Sequence, residues 1–120
     1  MKKTMMIKRN YEFKKLFSKG KFFHGKYINM YLIENHKDNN QLAITVSKRQ
    51  GKAVVRNRFK RLIKENYKEI EPKMRFGYNI LFMIQKNKST ETKQIGYYDV
   101  KKDMLELFKN SGILNEKNID

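Results

Sequence analysis

Residues 48–64 read Lys-Arg-Gln-Gly-Lys-Ala-Val-Val-Arg-Asn-Arg-Phe-Lys-Arg-Leu-Ile-Lys. Eight of these 17 residues are basic and none is acidic, so nothing within the stretch can neutralise it. At about 100° per residue, Arg56, Asn57, Lys60, Arg61, Lys64 and Lys68 share one arc of roughly 140°. Val55, Phe59, Leu62, Ile63 and Ile70 line an apolar stripe opposite, with Arg56 near the boundary and Arg58 on the other flank. The pattern predicts a helix over 52–70, ended by Pro72, that buries one face and presents cations on the other. Solvated helix faces usually mix signs, because like charges four residues apart repel. Arg56, Lys60, Lys64 and Lys68 keep up one sign at that spacing. The stability this costs is repaid by a polyanion. Arginine suits such a partner because its planar fork holds a phosphate bidentately, whereas lysine acts as a point charge.

Outward from this helix, residues 27–34 read as a strand with Tyr27, Asn29, Tyr31 and Ile33 on one side. His36 to Asn40 is a polar turn, and Gln41 to Val46 is a second strand expected to pair with the first as a hairpin. After the helix, residues 78–84 lack alternation, as a central strand covered on both faces would. A first helix is expected over Tyr11–Lys19, capped by Asn10 and stopped by a left-handed Gly20. Its Phe13, Leu16 and Phe17 share a face. A last helix, about 92–109, places Tyr97, Val100, Met104, Leu107 and Phe108 on one side, with Ser89, Thr90 and Thr92 as candidate caps. The order helix, strands, helix, strand, helix describes an α+β sandwich with a mixed sheet. One domain over 1–120 is expected, with frayed tails at about 1–8 and 112–120.

The global charge agrees with the helix. Twenty-eight Lys and Arg against 12 Asp and Glu leave +16 on 120 residues. A nucleic acid is the expected partner, since each neutralised phosphate releases condensed counterions. An anionic membrane is the competing polyanion, but no exposed apolar helix accompanies the basic residues. The longest apolar run, Ile80 to Ile84, is far short of the roughly 20 residues a span requires. The apolar run after Lys2 and Lys3 stops at Lys8, too soon for a signal peptide. Without cysteine there is no disulfide framework and no thiolate metal site. A cytoplasmic location is expected, with no membrane partner.

Ser47-Lys48-Arg49, then Gly51, Ala53-Val54 and Arg56-Asn57-Arg58-Phe59-Lys60-Arg61 resemble the signature of the bacterial ribonuclease P protein component. Phe13, Phe17, Gly20, the 27–46 segment and Gly77 to Ile84 extend the resemblance over nearly the whole chain. Three positions depart: Gln50 for a usually apolar residue, Lys64 where arginine is common, and Ile84-Gln85 for the frequent Ala-Arg. The resemblance implies a left-handed βαβ crossover through the basic helix, and two RNA surfaces. Lys48, Arg49, Lys52, Arg56, Asn57, Arg58, Lys60, Arg61, Lys64 and Lys68 would contact the catalytic ribonuclease P RNA. Phe13, Phe17, Tyr27, Tyr31 and Ser47 would line a cleft for the single-stranded 5′ leader of precursor tRNA. It further implies a monomer bound 1:1 to the RNA. The protein would bind no cofactor itself, and Mg²⁺ would serve the holoenzyme through the RNA.

Six aromatics, Phe13, Phe17, Phe22, Phe23, Tyr27 and Tyr31, fall within 19 residues. By spacing alone they fit a core; unstacked bases are the other use of such rings. His24 and His36 have no carboxylate at ligand spacing and read as surface or turn residues. Glu65/Glu69 and Asp99/Asp103 sit one helical turn apart, and are expected to offset Arg61, Lys68 and Lys102 on helix surfaces. No Ser-His pair, Cys-His pair or Gly-rich phosphate loop occurs. No catalytic or metal-ligating residue is expected in the chain. The alternatives are a ribosomal-type structural RNA-binding protein and a protein-only nuclease.

Overall fold

A computed structural model describes residues 3–84 and 95–115. The unalternating segment decides the sheet: as β5 (Tyr78–Ile84) it sits in the middle, with Asn79 to Phe82 all buried. Across the sheet the order is β1 (Thr4–Met6), β4 (Asn40–Thr45), β5, β3 (Ile28–Glu34) and β2 (Lys21–His24). β1 and β5 run parallel to β4, while β3 is antiparallel to β5 and to β2. Three helices, α1 (Asn10–Lys19), α2 (Ala53–Ile70) and α3 (Tyr97–Ser111), complete an α+β domain with a mixed sheet. The unit β4–α2–β5 joins neighbouring parallel strands through the basic helix.

Both faces of the sheet are covered, because side chains alternate along each strand. Ile28, Met30, Leu32, Ile80 and Phe82 face α2 and α3, which contribute Phe59, Ile63, Tyr67, Met104 and Phe108 to one core. Leu81 and Ala43 face the other way and meet Ile7 and the fully buried Leu16 of α1. Each large buried side chain contributes about 1.5–3 kcal/mol. Among the described residues no helix is long and apolar enough to cross a membrane.

The expected hairpin is absent: β5 lies between β3 and β4. Asn35 and Asn40 hold the slot open. The Asn40 side chain donates to the Arg75 carbonyl and accepts from the Tyr78 amide, while the Asn35 amide donates to the Gly77 carbonyl. Two short strands, β1 and β2, appear where none was expected. Thr4–Met6 pair with Asn40–Leu42, and Ile113 and Leu114 are buried, so the ends are not frayed as far as the sequence suggested.

Helix ends also differ. Asn10 is the first helical residue, and Arg9, at the cap position, makes no side-chain cap bond. Gly20 is extended (φ −72°, ψ 156°), not left-handed; a Cβ there would lie 2.4 Å from the Leu16 carbonyl oxygen. α3 starts at Tyr97, where the Asp99 carboxylate accepts the Gly96 amide; Ser89, Thr90 and Thr92 lie outside the described residues.

Candidate nucleic-acid interface

The Ser47 hydroxyl accepts the Arg49 amide at 3.2 Å and starts a single 3₁₀ turn, Lys48–Gln50. Gly51 then adopts φ 134°, a conformation strained for any side chain, and turns the chain into α2. Ser47, Lys48, Arg49 and Lys52 are exposed on this lead-in. Along α2, Phe59, Leu62, Ile63 and Ile70 are buried as the stripe predicted, with Asn66 and Tyr67 in addition. Asn57, Arg61, Lys64 and Lys68 are exposed, and Arg56 and Lys60 half-exposed. Among the described residues this face makes one loose ion pair, Arg61 to Glu65 at 3.9 Å. Arg58 departs from the predicted set. Its guanidinium donates to the Ile95 carbonyl at 3.1 Å, so it ties α2 to the chain entering α3.

The second surface lies on the α1 face of the sheet. Phe13, Tyr31, Ile33 and Met83 pack, half-buried, around the Leu16 cluster. Phe17 leaves half its surface exposed and sets its ring edge-on to Tyr31, centroids 5.1 Å apart. Register carries this floor across the sheet, since Thr45, Met83 and Asn29 are successive strand partners on the same face. Ser47 follows Thr45 by two residues, so the floor leads into the lead-in of α2. Phe13, Phe17 and Tyr31 are thus brought together. Tyr27 is not: it precedes β3, packs against the opposite core and lies under the Lys26 ammonium, 5.2 Å from its ring centroid. Phe22 was missed as a surface ring. It sits directly opposite Tyr31 on β2 with centroids 5.0 Å apart, and only knowledge of β2 could have singled it out.

With this geometry in view, comparison with known proteins is decisive. The Ribonuclease P family model matches residues 1–111. The chain belongs to the ribonuclease P protein family. The ribonuclease P protein component of Clostridium botulinum (strain Langeland) is 36% identical over 114 residues, covering 94% of this chain and 99% of that one. The solved ribonuclease P protein of Staphylococcus aureus superposes with a TM-score of 0.79 at 26% identity, over 92% of this chain and 97% of that chain. The Thermotoga maritima ribonuclease P protein gives 0.79 at 26% identity, over 88% and 96%. Membership in the ribonuclease P family displaces the ribosomal-type alternative.

The carboxylates have structural employment. Asp103, expected on a helix surface, is instead buried at 3% exposure and accepts three backbone amides, from Lys26, Tyr27 and Ile28, each at 2.8 Å. The Tyr97 hydroxyl donates to Glu69, which Lys101 also approaches at 3.2 Å. That hydrogen bond pushes the Tyr97 phenol up to about 12 and is the main reason Glu69 is held below the usual carboxylate range. Among the described residues no group of three or more His, Cys, Asp or Glu side chains could hold a metal. His24 and His36 are both exposed, and His36 takes a left-handed turn conformation (φ 57°). Gln85, one of the departures from the family signature, lies outside the described residues.

Proposed function

We propose that the chain is the RNA-binding protein subunit of ribonuclease P, acting in the 5′ processing of precursor tRNA. The basic face of α2 and its lead-in dock on the catalytic RNA. The floor between α1 and the lead-in holds the single-stranded leader. The observation that carries this reading is that the Ser47 lead-in joins a cationic helix face, relieved only by the loose Arg61–Glu65 pair among the described residues, to the sheet floor over which the half-exposed rings sit. Hydrolysis belongs to the RNA, with Mg²⁺ held by the RNA. The protein, a cytoplasmic monomer bound 1:1, adds affinity for substrate and screens repulsion between two RNAs.

Reconstitution tests where the activity resides. The purified chain should leave precursor tRNA intact with Mg²⁺ present, and should restore cleavage at low Mg²⁺ when ribonuclease P RNA is added. Cleavage by the protein alone, surviving nuclease treatment that destroys RNA, would overturn the subunit reading in favour of a protein-only nuclease.

Phe17 tests the cleft. A base stacked on an aromatic side chain is worth on the order of 1–3 kcal/mol. Phe17→Ala should weaken holoenzyme binding of precursor tRNA by that amount and leave mature tRNA, which has no leader, nearly unaffected. If Phe17 served only the core, truncation would cost about 3–5 kcal/mol of stability and weaken both substrates together. Thermal unfolding measured beside the two affinities separates these results.

A further inference from the structure

Phe17 and Tyr31 are not the end of the exposed aromatic surface. Phe22 is as exposed as Phe17, at 49% each, and the two rings flank Tyr31 at nearly equal centroid distances of 5.1 and 5.0 Å. His24, two residues along β2 and paired with Asn29 of the floor row, lies with its ring centroid 6.3 Å from that of Phe22. The rings therefore form a track from α1, over β3, onto the edge strand. β2 is the outermost strand on the side away from β4, whose end feeds the α2 lead-in. A strand of RNA entering at Ser47 and crossing the floor meets Phe17 and Tyr31 before it reaches β2, which carries Phe22 and His24.

We propose that Phe22 is a further base platform, so that the single-stranded path runs on over β2 and Phe22 takes an unpaired base upstream of those met by Phe17 and Tyr31. The inference rests on the leader-cleft reading above and extends it. Stacking of this kind tolerates any base, because every base has a π-face. Recognition by Phe22 is therefore a matter of leader length and not of sequence. An apolar side chain without a ring cannot replace it.

The test uses reconstituted holoenzyme and precursor tRNAs with leaders from one to about sixteen nucleotides, which brackets single-strand sites of roughly 4–16 nucleotides. Phe22→Ala and Phe22→Leu should each lower affinity on the order of tenfold for the longest leaders. Both should match the parent for leaders too short to pass Phe17, and Phe22→Tyr should bind as the parent does. Phe17→Ala should begin to lose affinity at shorter leaders than Phe22→Ala. If Phe17→Ala weakens binding while Phe22→Ala does not, the platform is refuted and the cleft stands. Equal losses from Phe22→Ala at every leader length, with Phe22→Leu restoring binding, would mean that Phe22 only props Tyr31, and would also overturn the proposal. No loss from either Phe17→Ala or Phe22→Ala would remove the cleft and the platform together.

Discussion

Replacing Arg56, Lys60 and Arg61 together by alanine should lower affinity for ribonuclease P RNA about a hundredfold while leaving the fold intact. All three side chains lie off the apolar stripe, and none is buried. The substitution removes one ion pair within the protein, Arg61 to Glu65 at 3.9 Å, with both side chains at least half exposed, and exposed pairs contribute little. Toward RNA the same groups should contribute far more. Charge-assisted hydrogen bonds contribute about 1.5–3 kcal/mol where well formed, and a conservative 1 kcal/mol for each of these three cations gives about two decades of affinity. The logarithmic salt slope should flatten by about one for each phosphate that is no longer neutralised. A folded triple variant that binds with an unchanged slope would remove α2 from the docking surface. Arg58→Ala should behave differently, because its guanidinium serves the Ile95 carbonyl; stability should fall more than the salt slope.

The second large effect concerns stability. Asp103 accepts the amides of Lys26, Tyr27 and Ile28, fastening the connection between β2 and β3 to α3. Asp103→Ala leaves three amides without their acceptor, at about 1–3 kcal/mol each where water cannot replace it. A total loss of about 3–5 kcal/mol is expected from a domain whose whole stability is on the order of 5–15 kcal/mol. Urea unfolding measures it. Asp103→Asn keeps the volume but turns an N–H₂ group toward backbone donors, and should recover only part of the loss. A midpoint for Asp103→Ala close to the parent's would show that water satisfies those amides and that the clasp is dispensable.

Much of this molecule is written in local pattern. Tyr78–Ile84 reads as a covered central strand and is one, since an unalternating apolar run has no face to spare for water. The α2 stripe is buried where 3.6-residue periodicity puts it, and its cations line the opposite side. The family signature sits on nearly the same residues, so one stretch of 17 carries both most of α2 and the resemblance. Pairing is what local pattern misses. A default hairpin for residues 27–46 ignores β5, which competes for the same edges once α2 has carried the chain back across the sheet. Strands as short as Thr4–Met6 and Lys21–His24 carry too few residues for a period to declare itself.

The sequence by itself determined the strong positive charge and its concentration around α2, the buried and exposed sides of that helix, and the central strand. Each follows from charge or from spacing along a single element. Only the tertiary structure decided which aromatic rings share a surface. Tyr27 and Tyr31 are four residues apart and look equivalent in the sequence, yet the turn fastened by Asp103 sends Tyr27 to the α3 side and leaves Tyr31 beneath Phe17. Phe22 joins that surface only because antiparallel register sets it opposite Tyr31. Neighbours of this kind depend on strand order and on distant backbone hydrogen bonds, which no period along one element contains.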